Sequence, residues 1–166
     1  MKSEEFILEK AIRLAAKTHR GQKDRFRKPF VLHVMRVIGR GNDLEEQVLG
    51  ALHDVIERSD IEIEDLRQKG YPERVLLALD NISRREAERY SDYIDRVELS
   101  NLATRVKIHD LADKMDISKI AKISEDDRTR FNRQLRAYHK LQKALGHSYV
   151  QLESLTDDTD DKDSES

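Results

Sequence analysis

The chain has no cysteine, only two prolines and six glycines in 166 residues, and few aromatic side chains (5%). Without cysteine there is neither a disulfide framework nor a thiolate metal site, so any metal must be held by imidazole and carboxylate. That usage suits a reducing compartment. Scarce proline and glycine favour helices over a loop-rich architecture. Long apolar runs are also missing. Met1 to Glu9 carries Lys2, Glu4, Glu5 and Glu9 around a short apolar stretch, which is neither a signal-peptide core nor a membrane span. A cytoplasmic protein with no membrane contact is expected. No alternating strand pattern and no internal repeat is found.

What is present is charge. Charged residues make up 39% and hydrophobic residues 37%, a balance that suits amphipathic helices around a modest core. The length suits one domain, over residues 1–150, burying roughly two thirds of its unfolded surface. The net charge of -2 hides a split, because Thr156 to Ser166 holds six acidic residues against Lys162 alone. Residues 151–166 therefore read as an acidic, disordered tail, and the body is slightly basic.

Periodicity places the helices. Leu8, Ala11, Ile12, Ala15 and Ala16 predict a helix over 3–19, closed by Gly21. A basic connection leads to Pro29, expected in the first turn of a helix buried through Phe30, Val34, Val37 and Ile38. Asp43 is the expected N-cap of a third helix carrying Val48, Leu49, Leu52, Val55 and Ile56. A short helix over 62–68 stops at Gly70, and Pro72 opens another. Ser83 and Glu86 form a capping-box pattern ahead of a helix with Tyr90, Tyr93, Ile94 and Val97. Helices from Leu102 to about Ile117 and from Asp127 to about Leu145 complete an all-α chain of seven or eight helices.

Polar residues inside the apolar stripes carry the chemistry. His33 has Phe30, Val34 and Val37 at helical spacing; His53 and Asp54 interrupt the apolar run Ala51 to Ile56; Asp110 lies within Val106 to Leu111. Buried carboxylates need a partner. Two readings fit: a shared divalent cation (Mn²⁺, Fe²⁺, Zn²⁺ or Co²⁺) held from three helices, or a set of His–Asp ion pairs. Glu57, four residues after His53, is a candidate base for an attacking water, or else half of a solvated pair with Arg58. Successive helical side chains diverge, so His109 is expected to face away from Asp110. His139 and His147 read as surface or capping groups, and His19 as a helix-terminal residue. Tyr90 and Tyr93 read as core, with a place beside the pocket as the alternative. The cluster Arg20, Lys23, Arg25, Arg27, Lys28, Arg36 and Arg40 fits a phosphate-rich small molecule. A nucleic-acid surface is disfavoured because the body is only slightly basic and shows no recognition motif.

The stretch Ala15 to Lys23 (AAKTHRGQK), Pro29 to His33 (PFVLH), Ala51 to Glu57 (ALHDVIE) and Val106 to Leu111 (VKIHDL) together resemble the HD hydrolase domain of the RelA/SpoT family, in order, across roughly residues 5 to 145. The free-standing small alarmone hydrolases, the metazoan SpoT homologue among them, are the nearest subgroup. The resemblance implies an HD-superfamily helical domain with one Mn²⁺ on His33, His53, Asp54 and Asp110, Glu57 as catalytic carboxylate, Arg20, Lys23, Arg25, Arg58 and Lys114 around a nucleotide, and His19 near the pocket mouth. It implies hydrolysis of the 3'-pyrophosphate of guanosine 3',5'-bis(diphosphate), ppGpp, or of a related nucleotide. No synthetase segment follows residue 150, so alarmone synthesis is not expected.

Three positions depart from the family pattern. Arg58 stands where a second acidic residue is usual after Glu57, Lys114 where an asparagine contacts the sugar, and Asp24 where an arginine reads the base. All three lie in the substrate-facing part of the pattern. They imply either a hydrolase with altered substrate choice or a metal-binding nucleotide sensor with weakened hydrolysis.

Overall fold

The computed structural model describes residues 2–146 apart from Ala121, with side chains from residue 6 onward. The expected acidic tail at 151–166 and His147 lie outside the described residues. Among the described residues eight α-helices run in order: α1 Lys2–Thr18, α2 Val31–Arg40, α3 Leu44–Leu52, α4 Ile63–Gln68, α5 Glu73–Ile82, α6 Tyr90–Glu98, α7 Asn101–Lys114 and α8 Glu125–Ala144. Short 3₁₀ turns follow α3 at Ile56–Arg58 and α7 at Ile117–Lys119. Among the described residues the one pairing of extended backbone is an antiparallel bridge between Lys23 and Pro29, so the expected all-α class holds.

Two helices are buried on more than one side. In α3, Val48, Leu49, Ala51 and Leu52 are all inaccessible, with α1, α2, α5 and α7 packed around them. Helix α7 touches α2, α3, α5, α6 and α8, and it buries Leu102, Ala103, Val106 and Leu111 together with Lys107, Asp110 and Asp113. Enclosed in this way, Lys107, Asp110 and Asp113 have little access to solvent, so those charges must find partners inside.

Local chemistry moved three boundaries. Helix α3 stops at Leu52 rather than running through Ile56. The His53 Nδ1 donates to Gly50 O at 2.7 Å, taking a carbonyl near the helix end, and the backbone tightens as Val55 N bonds Leu52 O. Pro29 does not start α2. Residues 22–30 close as a loop through Phe30 N to Gln22 O and Asp24 N to Lys28 O, with Arg27 at φ +63°, and the helix begins only at Val31. Ser83 is not an N-cap: its N–H and hydroxyl both bond Leu79 O and end α5, whereas α6 begins at Tyr90. Asp43 does cap α3, accepting from Glu46 N, and Ser124 with Asp127 forms a capping box on α8. No described helix is long and apolar enough to cross a membrane.

Candidate metal centre

Three segments meet below the surface. Helix α2 supplies His33, the turn after α3 supplies His53 and Asp54, and α7 supplies Asp110; all four are buried, and one ligand atom of each lies within 4.8 Å of the others. His33 Nε2 is 3.1 Å from Asp110 Oδ1 and 3.7 Å from Asp54 Oδ2. His53 Nε2 is 3.1 Å from Asp54 Oδ2 and 3.7 Å from Asp110 Oδ1. The two Nε2 atoms face each other at 3.3 Å.

The outward nitrogens decide what faces inward. His53 Nδ1 meets a carbonyl, which can only accept, so this nitrogen carries the proton. His33 Nδ1 lies 2.7 Å from Asp113 Oδ2 and donates to that carboxylate. In the neutral tautomers both Nε2 lone pairs therefore point at each other and at two carboxylate oxygens. Four acceptors with no proton between them repel unless a cation intervenes, and Asp54 Oδ2 and Asp110 Oδ1 are indeed buried without an aligned hydrogen-bond donor. The donor set fits a divalent ion, with imidazoles oriented by outer partners in the usual manner of such sites.

Titration tells the same story. Burial alone would lower the pKa of His53, but Asp54 and Asp110 override it and raise it to about 10. Burial pushes Asp54 and Asp110 up, yet His53 and Lys114 hold Asp54, and Lys107 and Lys114 hold Asp110, well below the usual carboxylate range. A proton on His53 and a divalent cation are thus alternative ways to compensate the same two carboxylates.

Asp113 and Lys107 were not assigned to the site from the sequence. Asp113 is buried and takes His33 Nδ1, a two-point contact from Arg36 (2.6 and 3.2 Å) and Lys119 Nζ at 2.8 Å. Lys107 Nζ bonds Asp110 Oδ2 at 2.8 Å. The i, i+3 spacing of Lys107, Asp110 and Asp113 on α7 was the available signal. His19 is buried against Phe30, with ring centroids 4.9 Å apart. Gln22 gives its amide hydrogens to Thr18 O and Arg58 O, so its oxygen accepts from His19 Nδ1, leaving His19 Nε2 buried and unpaired.

Glu57 does not rise from an α-helical face, because the chain has already turned. Its Oε1 accepts from Arg84 N at 2.7 Å, and partial desolvation of the carboxyl together with the Asp54 charge raises its pKa, while the residue as a whole is exposed and lies beside Arg84 and Arg85, outside the lining of the pocket that opens onto His33. His109 bonds Glu46 at 3.3 Å and does not join the four-residue cluster. Tyr93 is core, donating to Ile82 O, and Tyr90 lies between Arg84 and Arg133 rather than at the cluster. His139 sits partly buried on α8 beside Tyr138.

A pocket of about 260 Å³ opens onto His33. Of the expected substrate-binding residues it is lined by Lys23, Arg25, Arg58 and Lys114, while Arg20 is exposed and outside it. Arg58 stacks on Phe30, its guanidinium carbon 3.7 Å from the ring centroid. Lys114 Nζ reaches Asp110 Oδ1 at 2.8 Å.

Neither a family model nor a curated protein sequence matches the chain. Among solved structures it is similar to a metazoan orthologue of SpoT that hydrolyses ppGpp and plays a role in starvation responses. The TM-score is 0.63 at 19% identity, over 86% of this chain and 97% of that one. The likeness establishes the shared all-helical fold.

Proposed function

We propose that this protein is a metal-dependent phosphohydrolase acting on a nucleotide, with ppGpp the favoured substrate and its 3'-pyrophosphate the group removed. The observation that carries this reading is the convergence of His33 Nε2, His53 Nε2, Asp54 Oδ2 and Asp110 Oδ1, each imidazole held by its outer nitrogen. A divalent ion bound there, Mn²⁺ on the family resemblance, would polarise a phosphate oxygen and lower the pKa of water. Glu57 has the raised pKa suited to a general base and is held in place by the Arg84 N–H. The cationic pocket lining binds the phosphate charge, and the neighbour that hydrolyses ppGpp shares the fold.

A second reading, a metal-binding nucleotide sensor with weakened hydrolysis, is favoured by one contact. Lys114 occupies the side of Asp110 that faces the cluster, and Arg58 replaces the usual second carboxylate. A Mn²⁺-dependent turnover screen over ppGpp, pppGpp, ppApp, NADPH and simple nucleotides, preceded by metal analysis, separates the two. Hydrolysis is expected with ppGpp and is abolished by His53→Ala or Glu57→Ala. Stoichiometric metal with no product from any nucleotide transfers the assignment to the sensor.

A further inference from the structure

The connection from α5 to α6, residues 83–89, holds the Glu57 carboxyl from the far side of the chain. Arg84 N donates to Glu57 Oε1 at 2.7 Å, and among the described residues no other hydrogen bond or ion pair reaches that carboxyl. Desolvation and the Asp54 charge raise its pKa while Lys107 and Lys114 oppose them, so the group lies within electrostatic reach of the His–Asp cluster. Its direction is set by where Arg84 sits. Little within the connection fixes that. Arg84, Arg85, Glu86 and Ala87 are all exposed, and Ala87 takes a left-handed conformation, φ +57°, that is disfavoured for a residue with a side chain.

The hold comes from Arg96 on α6. Its Nε and Nη2 grip the Glu88 carboxylate at two points, 2.9 and 2.7 Å, and the two side chains are only 12% and 13% exposed. Nη1 donates to Asp80 O and Asn81 O, carbonyls of the last turn of α5 that have no partner within the helix, and Nη2 also donates to Ser83 O at 2.8 Å. One guanidinium thus joins the end of α5, the first residue of the connection and Glu88 near its last. Glu88 passes the constraint on. Its Oε2 accepts from Arg85 N at 2.9 Å, and its carbonyl accepts from Arg84 Nη2 at 2.6 Å. Arg84 is therefore fixed on both sides by groups that Arg96 holds.

We propose that Arg96 is a positioning residue for Glu57: clamped to Glu88 and to the end of α5, it fixes the 83–89 connection so that the Arg84 N–H holds the Glu57 carboxylate in one direction. What Glu57 then does rests on the phosphohydrolase reading; the mechanical link from Arg96 to Glu57 does not. The planar fork is essential to it, because five donors in fixed directions meet one carboxylate and three carbonyls, and an ammonium with three donors cannot.

The test uses Arg96→Lys, which keeps the charge and the aliphatic stem, and Glu88→Gln, which leaves Arg96 in place. Amide hydrogen exchange of the full chain, read by NMR, reports the link directly: in both variants the Arg84 amide is expected to exchange about tenfold faster while amides of α3 and α7 are unchanged. In Mn²⁺-dependent ppGpp hydrolysis both variants should lose about tenfold in kcat, with KM within twofold, as for a misaimed catalytic group. The acid limb of the kcat profile should also move to higher pH, since the carboxyl loses a hydrogen bond that lowers its pKa while Asp54, Lys107 and Lys114 are untouched. An Arg84 amide that exchanges no faster in either variant overturns the proposal. So does faster exchange with kcat unchanged, or a loss of kcat accompanied by faster exchange throughout α3 and α7, which would assign Arg96 to the fold alone. If the unsubstituted protein hydrolyses no nucleotide and the Arg84 amide still responds selectively, the phosphohydrolase reading falls and the link stands.

Discussion

Lys114 Nζ lies 2.8 Å from Asp110 Oδ1, the carboxylate oxygen that faces His33 at 3.1 Å. An ammonium thus stands on a candidate metal ligand, on the side where an ion would bind. Burial would lower the Lys114 pKa, but Asp110 and Asp54 raise it, so the side chain stays charged across the physiological range. Lys114→Asn removes this competing cation. Mn²⁺ affinity should rise about tenfold, the scale of a close, partly screened charge pair, as measured by calorimetry. Unchanged or weaker binding would show that the ammonium does not compete.

Asp113 acts on the cluster through His33. Replacing it with asparagine leaves a neutral group opposite Nδ1 and releases Arg36 and Lys119. Metal affinity should fall about 10- to 100-fold, as for other outer-sphere carboxylates, while helix content by circular dichroism is unchanged. Full metal affinity in Asp113→Asn contradicts this role.

Proton and metal compete for the same space. Because the folded His53 pKa is raised from 6.5 to about 10, its charge contributes stability fully present below pH 6.5 and lost as pH rises through about 10. Chelator-treated protein should therefore lose melting temperature over that window. Mn²⁺ binding at pH 7.5 should release a proton, seen as a calorimetric enthalpy that depends on the buffer. Identical heats in two buffers of different ionisation enthalpy would exclude the exchange.

Glu46 tests the fold away from the chemistry. It is buried, accepts from Asn42 N at 3.0 Å, and pairs with Arg105 and His109. Burial would raise its pKa, but these three partners together lower it. Stability from this carboxylate is present above pH 4.5 and lost as pH falls through its folded value. Glu46→Gln should cost about 1–3 kcal/mol in urea unfolding at pH 7, with the difference shrinking in acid. A cost independent of pH would assign the loss to packing.

The helices and the four-residue cluster were legible because each rests on a local pattern. His33, His53, Asp54 and Asp110 interrupt apolar stripes, and a carboxylate in a stripe must be buried with a partner. What was misread depended on competition at helix ends. The His53 side chain claims Gly50 O and stops α3 early, and Ser83 bonds back to Leu79 O instead of forward. Periodicity does not register which of two acceptors a polar group takes.

The amino-acid sequence by itself determined the helical class, the imidazole and carboxylate chemistry of any metal site, and the basic character of its surroundings, since composition and spacing set these before any long-range contact forms. Only the tertiary structure decided that Asp113 orients His33 from 80 residues away, that Lys114 turns onto Asp110, and that Arg130 and Gln134 of α8 enter the pocket. Those relations come from how α2, α7 and α8 pack. Side chains far apart in sequence become neighbours only when the enclosed face of α7 has to find partners for its buried charges.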